Sequence, residues 1–139
     1  MKENKKIKGA TITKVGDIVF RSKLEAKVAK TLEDNNISYQ YENTKLLLLP
    51  SILYNNKLYR SVHYTPDFIC GDYIIEVKGY PNDVWPLKKK IIINHLINTN
   101  SNYKFREVKN LKELNEVIKE IKDYESYRKN IIINQQSSN

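Results

Sequence analysis

Hydrophobic residues recur along this chain at two spacings, and each spacing predicts a different element. Apolar positions three or four residues apart predict helices, whereas alternation of apolar and polar residues predicts strands with one buried face. The helical spacing occurs in segments 20–36, 86–98 and 110–130. Extended patterns occur in segments 37–43, 46–64, 63–79 and 103–108. The resulting order of helix, strands, helix, strand and helix predicts an α/β fold with a mixed sheet flanked by helices.

Two of these segments need a further argument. In 20–36, the spacing of Leu24, Val28 and Leu32 predicts a helix that Asn35–Asn36 ends. Segment 86–98 contains a run of isoleucines that favours a strand, but its length and its start at Pro86 favour a helix. Trp85, just before it, is interpreted as a core anchor.

The extended segments contain two turn signals. Segment 46–64 reads as two extended stretches, with Pro50 and an Asn55–Asn56 turn, and a hairpin is the simplest interpretation. Segment 63–79 reads as two strands around Gly71–Asp72. A two-residue turn that begins with glycine suits the type II′ hairpin.

Composition and charge predict how the chain is organised into a domain and its flanking segments. The chain has 139 residues, with 40% hydrophobic and 29% charged residues, which is typical of one globular domain. Residues 1–30 contain nine Lys or Arg against three acids, whereas residues 31–90 sum to zero. We therefore expect a flexible basic arm over 1–16, a domain over 17–130 and a frayed tail over 131–139. A basic arm indicates a nucleic-acid binder, and a solubilising tail is the alternative.

The same composition excludes some other classes. No apolar run approaches the roughly 20 residues that a membrane span needs, and the first residues lack the apolar core of a signal peptide. The single cysteine, Cys70, has no partner for an internal disulfide. These features predict a cytoplasmic protein with no membrane partner. No small-molecule cofactor is expected.

The hairpin at Gly71–Asp72 brings charged residues together. Counting outward from the turn pairs Cys70 with Tyr73 and continues until Asp67 faces Glu76. Lys78 shares a face with Glu76 because side chains alternate along a strand. Two opposed carboxylates repel each other, so the pair needs a positive charge between them or a proton on one of them.

That charge has two possible sources. In either interpretation we expect a half-buried strand whose charged end opens towards solvent or substrate. In the simpler one, Lys78 supplies the charge and the three groups form an ordinary salt-bridged surface. In the other, a hard divalent cation such as Mg²⁺ binds the carboxylate oxygens. Spacing alone leaves both interpretations open.

These residues also carry a resemblance to a known family. Pro66-Asp67 followed by Glu76-Val77-Lys78 resembles the PD-(D/E)XK nuclease signature. Together with Phe20 to Glu25, the following helix and Ile37 to Glu42, the order of motifs over residues 17–80 is similar to phage endonuclease I-type Holliday junction resolvases. The resemblance implies a restriction-endonuclease-like mixed β-sheet flanked by helices, and metal-dependent hydrolysis of DNA phosphodiesters.

Roles follow from the resemblance at matching positions. Asp67, Glu76, the backbone carbonyl of Val77 and Glu25 would hold Mg²⁺, for which Mn²⁺ substitutes. Lys78 would orient the attacking water and stabilise negative charge, so the implied catalytic residues are Glu25, Asp67, Glu76 and Lys78. For Glu25 the alternative is a capping box with Ser22, in which the carboxylate bonds the Ser22 N–H.

The family also implies partners. DNA, branched in particular, is the expected substrate, and its contacts are assigned to basic residues near the site and at a helix start: Lys14, Arg21, Lys23, Lys88 and Lys89. The family forms intertwined homodimers through a connector that corresponds to residues 43–62 here; an intrachain hairpin is the alternative. We therefore expect a homodimeric Holliday junction resolvase. The alternatives are a sequence-specific or mismatch-type endonuclease of the same fold and a non-catalytic DNA-binding module.

Overall fold

Three helices and ten short strands make up the part of the chain that the computed structural model describes, residues 13–137. The strands are β1 Thr13–Val15, β2 Ile18–Phe20, β3 Gln40–Tyr41, β4 Leu46–Leu49, β5 Ile52–Tyr54, β6 Lys57–Tyr59, β7 Val62–Tyr64, β8 Phe68–Cys70, β9 Tyr73–Val77 and β10 Lys104–Val108. The helices are α1 Lys23–Asp34, α2 Trp85–Asn98 and α3 Leu111–Ser137. This content confirms the predicted α/β class.

The described chain divides into two compact units. One combines the residues up to Asn36 with those from Lys109 onward, and the other is the continuous segment Ile37–Val108. The first therefore contains β1, β2, α1 and α3, and the second contains the remaining strands and α2. No helix in residues 13–137 has both the length and the apolar character that crossing a bilayer requires.

The first unit is built around α1, which contacts α3 and the β1–β2 hairpin. As predicted, α1 ends at Asn35–Asn36, and Asn36 adopts a left-handed φ of 57°. Lys122 of α3 donates a hydrogen bond of 3.1 Å from its Nζ to Oδ1 of Asn35. The C-terminal end of α1 is thus tied to α3 by a polar contact.

Two predictions for the ends of the chain need correction. Most of the predicted arm, residues 1–12, lies outside the described residues, but Thr13–Val15 pairs antiparallel with Ile18–Phe20 across a Gly16–Asp17 turn. At the other end, α3 continues to Ser137, so the predicted frayed tail is helical over 131–137. The segment 111–137 contains neither Gly nor Pro, and extending a formed helix is easier than nucleating one.

The second unit contains a four-stranded sheet in the order β10-β9-β8-β3. The β8–β9 and β3–β8 pairs are antiparallel, whereas β9 and β10 are parallel and are joined by α2 as a crossover. The predicted strand over 37–43 is reduced to Gln40–Tyr41. One face of the sheet and α2 contribute to a buried core: Leu48, Tyr64, Ile69, Ile74, Trp85, Ile92 and Leu96. The core position of Trp85 confirms its predicted role as an anchor.

Segment 46–64 forms two nested hairpins. The outer one pairs β4 with β7, and a register shift lies between Leu47 and Leu49. The inner one pairs β5 with β6 across Asn55–Asn56, both of which adopt positive φ, as a type I′ turn requires. The predicted turn at these two asparagines and the predicted hairpin are therefore confirmed. The part of this segment in a homodimer stays a prediction.

Candidate metal and nuclease site

The turn at Gly71–Asp72 determines where the two central carboxylates lie. Gly71 has a φ of 58° while Asp72 has no positive φ, the pattern of a type II′ turn. The observed pairs Cys70–Tyr73, Ile69–Ile74 and Phe68–Ile75 confirm the predicted register. One further step along both strands brings Asp67 opposite Glu76, at the end of the hairpin away from the turn.

Both carboxylates are buried, which corrects one expectation. Asp67 is 2% exposed and Glu76 is 5% exposed, and every residue of β9 is buried. The predicted half-buried strand with its charged end open to solvent is therefore wrong. The β9 strand lies between β8 and β10, α2 contributes to the core on the face that includes Ile74, and the side chains on both faces of the strand are buried.

Asp67 is held in place by backbone contacts. Its Oδ2 accepts a hydrogen bond of 2.8 Å from the Val77 N–H, across the hairpin. Its carbonyl oxygen accepts a hydrogen bond of 3.1 Å from the N–H of Glu42, which adopts a φ of 48°. A left-handed φ at a residue other than glycine is uncommon and indicates that the surrounding contacts determine it. The end of β3 thus fixes the backbone from which Asp67 projects.

Glu76 is paired on both carboxylate oxygens. The Tyr64 hydroxyl donates a hydrogen bond of 2.5 Å to Oε2, and Lys78 Nζ lies 3.6 Å from Oε1. Burial raises the pKa of the Glu76 carboxyl above its ordinary value of 4.5, although Tyr64, Lys78, the backbone of Asp67 and Lys88 each act to lower it. The burial effect is the largest because the ionised form loses its hydration. Added positive charge at this position would therefore be stabilising.

Tyr64 remains a hydrogen-bond donor throughout the physiological range. Burial raises the pKa of its hydroxyl far above the ordinary value of 10.0, and the negative charges of Glu76 and Asp67 raise it further. The hydroxyl therefore stays protonated beside the carboxylate. Sequence reasoning missed this residue, although its position three residues before Asp67 in an extended segment was a usable signal.

A third carboxylate, Glu107, was also missed. It is in register with Glu76 on the neighbouring strand β10. Its Oε2 accepts a hydrogen bond of 3.1 Å from Trp85 Nε1 and lies 2.9 Å from Lys89 Nζ. Lys78 Nζ lies 4.6 Å from the centre of the Trp85 ring, a cation–π distance. Lys78 and Trp85 thus connect the two carboxylates through a continuous set of polar and aromatic contacts.

The basic residues assigned to DNA have different surroundings. Lys88 is close enough to Glu76 for its charge to lower the pKa of that carboxyl. Lys89 forms the ion pair with Glu107 described above. In the first unit, Lys14 lies on β1 and Lys23 begins α1, and both are exposed, while Arg21 is half-buried. Their contacts with phosphate stay predictions.

Glu25 acts as a helix cap in the first unit. Its N–H donates a hydrogen bond of 3.1 Å to Ser22 Oγ, and its Oε2 accepts one of 3.0 Å from the Arg21 N–H. Ser22 is the N-cap of α1, as the predicted capping box requires, but the Glu25 carboxylate accepts from the Arg21 N–H and not from the predicted Ser22 N–H. Glu25 is buried as well. Its role as a metal ligand stays a prediction.

Within residues 13–137, no group of three or more His, Cys, Asp or Glu side chains is arranged to hold a metal ion. The candidate site is therefore the pair Asp67 and Glu76, with Lys78 as its neighbouring cation. Two carboxylates can suffice for Mg²⁺, which commonly retains several waters and takes further oxygens from phosphate groups.

The buried charge of Glu76 predicts a pH-dependent stability. The pKa of Glu76 is raised in the folded state, so the folded chain holds a proton that the unfolded chain releases. The contribution of the protonated Glu76 to folding stability is therefore complete below pH 4.5, and it is lost as pH rises through the folded-state pKa. Relative to Glu76→Gln, the wild type should lose stability over this pH range. Urea denaturation in EDTA between about pH 4 and pH 8 measures this difference. A difference that stays constant with pH would contradict the assignment.

The fold and site together define an α/β protein whose mixed sheet carries a buried pair of carboxylates at the end of its central hairpin. The chain belongs to the family described as protein of unknown function (DUF1064), whose model matches residues 4–119. Comparison with curated proteins gives no match, and comparison with solved structures gives none either.

Proposed function

We propose that this protein is a divalent-metal-dependent DNA endonuclease that cleaves branched DNA. The observation that supports it best is the buried pair of Asp67 and Glu76, with Lys78 Nζ 3.6 Å from Glu76. Burying two carboxylates side by side is costly unless a cation compensates them. The combination of Asp, Glu and Lys in this order is also the one that the nuclease resemblance implies.

The donor chemistry of the pair fits Mg²⁺ or Mn²⁺. Carboxylate oxygens are the ligands that hard divalent cations prefer, and Asp67 and Glu76 would hold the ion with the backbone carbonyl of Val77. When bound, such an ion lowers the pKa of a coordinated water and stabilises negative charge on phosphate. It would also compensate the burial that raises the pKa of Glu76.

The protein's own groups would position the reaction. Lys78 supplies a compact positive charge that can orient the attacking water and offset charge on the scissile phosphate. The Trp85 ring, 4.6 Å away, restricts where its ammonium group can lie. Tyr64 orients Glu76 through its hydroxyl, and the Val77 N–H does the same for Asp67.

The proposed substrate is DNA because the chain carries a net charge of +8. Lys88, which acts electrostatically on Glu76, is well situated to contact a phosphate next to the site. Branched DNA is favoured over plain duplex because the order of motifs over residues 17–80 resembles that of Holliday junction resolvases. A homodimer would suit such a substrate, since symmetric cuts across a junction require two sites.

Cleavage of matched DNA substrates tests this proposal. Purified protein with Mg²⁺ or Mn²⁺ should nick a four-way junction and leave a linear duplex of the same sequence largely intact, with no product in EDTA. Site-specific cutting of the plain duplex would favour a sequence-specific endonuclease. Absence of product on either DNA with both metals would contradict nuclease function.

A non-catalytic DNA-binding module is the second candidate. It is favoured by one observation: both oxygens of Glu76 and one oxygen of Asp67 already have partners within the chain. Such a network can serve to fix the fold without a metal. This candidate predicts salt-sensitive binding to junction or duplex without cleavage under any divalent metal.

Tyr64→Phe tests whether orientation of Glu76 matters for cleavage. Loss of the hydroxyl removes a hydrogen bond that lowers the pKa of Glu76, so this pKa should rise further. Junction cleavage should fall by about 10- to 100-fold, the usual effect of losing a group that orients a metal ligand. The acid limb of the pH–rate profile should also move to higher pH. Tyr103→Phe, a partly buried tyrosine at the entry to β10, is the matched control, and equal effects of the two changes would refute the role.

A further inference from the structure

The inner hairpin of the second unit exposes an unusual set of side chains. All six residues of β5 and β6 are exposed. Leu53 is 72% exposed and Tyr54 is 71% exposed, while Tyr59 is 45% exposed. Large apolar side chains grouped on one exposed element commonly mark a surface that binds a partner.

The register of the hairpin divides these side chains into two faces. Leu53 is paired with Leu58 on one face, whereas Ile52 is paired with Tyr59 and Tyr54 with Lys57 on the other. On the second face, Lys57 Nζ lies 5.1 Å from the centre of the Tyr59 ring. This face thus combines two exposed aromatic rings with a cation, and we call it the tyrosine face.

The segment that contains the hairpin carries charge of one sign. Between Glu42 and Asp67 the sequence contains Lys45, Lys57 and Arg60 and no acidic residue. Because three cations are not offset by any neighbouring anion in this segment, the surface is complementary to a polyanion. A second copy of the chain would instead oppose like charges across a symmetric contact.

We propose that the tyrosine face binds unpaired bases of branched DNA, with Tyr54 and Tyr59 stacking on bases and Lys57 and Arg60 contacting phosphates. Every base has a π-face, so exposed aromatic rings beside cations bind unpaired nucleotides with little dependence on sequence. A paired duplex offers such rings no free base. The hairpin thereby selects for branch points and single-stranded segments.

This inference rests on the proposed action on branched DNA and identifies the element that distinguishes branched from plain DNA. The hairpin is linked to the candidate site by a short segment. Tyr59 ends β6, and Tyr64, which donates to Glu76, follows five residues later. Five extended residues span at most about 17 Å, the length of roughly five base steps. A base held by the hairpin and a phosphate at the carboxylates can therefore belong to one DNA molecule.

Fluorescence anisotropy in EDTA tests the inference without requiring cleavage. The full chain is titrated with a labelled four-way junction, a single strand and a duplex of matched sequence. Tyr54→Ser combined with Tyr59→Ser should weaken binding to the junction and the single strand by about tenfold or more, with little effect on the duplex. Tyr54→Phe combined with Tyr59→Phe should retain binding, because the rings remain. Lys57→Gln should reduce the slope of the logarithm of the DNA-binding constant against the logarithm of salt concentration by about one.

Controls make each outcome decisive. Tyr127→Ser alters another exposed tyrosine, on α3, and should leave binding unchanged. Unchanged junction binding in the serine variant would overturn the inference, as would an equal loss on all three DNAs. A change in sedimentation of the serine variant without DNA would overturn it in favour of self-association. Selective binding without cleavage by the wild type in Mg²⁺ would leave the inference standing and remove the nuclease proposal.

Discussion

Asp67→Asn and Glu76→Gln should each reduce metal-dependent cleavage of a four-way junction by about a thousandfold or more. A metal and the groups that hold it supply several kcal/mol of transition-state stabilisation, and about 1.4 kcal/mol corresponds to a factor of ten. Both substitutions are nearly isosteric, and Asn retains an oxygen that can accept from the Val77 N–H. Loss of cleavage would therefore reflect the missing charge. Single-turnover cleavage with Mg²⁺ measures the effect.

Asp72→Asn is the matched control for this pair. Asp72 lies in the turn at the opposite end of the same hairpin, and its carbonyl oxygen accepts a hydrogen bond from the Lys104 N–H that the substitution leaves intact. Cleavage by this variant should equal that of the wild type. Full activity in Asp67→Asn or in Glu76→Gln would show that the carboxylate pair is structural. Thermal unfolding of all variants verifies that each remains folded.

Phe68→Ala should have the largest effect on stability, lowering the free energy of unfolding by about 3–5 kcal/mol. Phe68 is fully buried, and its ring centre lies 5.3 Å from that of Tyr39 and 5.2 Å from that of Tyr41. Removing the ring leaves a cavity and deletes two aromatic contacts. Since Phe68 directly follows Asp67 on the chain, junction cleavage should fall as well. Urea denaturation monitored by circular dichroism measures the change in stability.

Leu53→Ala provides the comparison for Phe68→Ala. Leu53 is among the most exposed apolar side chains of the described residues, so its loss should change the free energy of unfolding by less than about 0.5 kcal/mol. Similar effects of the two substitutions would contradict the observed burial. A loss below about 1.5 kcal/mol in Phe68→Ala would indicate that the surrounding residues close the cavity.

Local signals in the sequence were sufficient to predict the register of the central hairpin. A glycine that leads a two-residue turn specifies a narrow range of backbone geometry, so counting outward from Gly71–Asp72 gave the correct partners down to Phe68 and Ile75. The same Gly–Asp pair occurs at Gly16–Asp17, where Gly16 has a φ of 59°. That hairpin was missed because its basic surroundings were interpreted as a flexible arm.

Features that depend on distant contacts could not be predicted in the same way. The burial of Glu76 results from β10 and α2, which follow it along the chain, so the alternation in β9 alone indicated a half-solvated strand. The position of Glu107 beside Glu76 depends on the register of a parallel pair, for which no turn gives a reference point. Sequence patterns therefore predicted Asp67, Glu76 and Lys78 together but missed Tyr64 and Glu107.

The division of the chain into a continuous and a discontinuous unit has a consequence for its synthesis. Ile37–Val108 is one uninterrupted segment, whereas α1 packs against a helix that begins at Leu111. Because a ribosome adds residues at about 5–20 per second, α1 emerges several seconds before α3 exists. During that interval the β8–β9 hairpin, with Asp67 and Glu76 at its end, is synthesised in full, whereas β10 is completed only three residues before α3 begins. The strands that bring the two carboxylates together can therefore pair before α1 and α3 pack against each other.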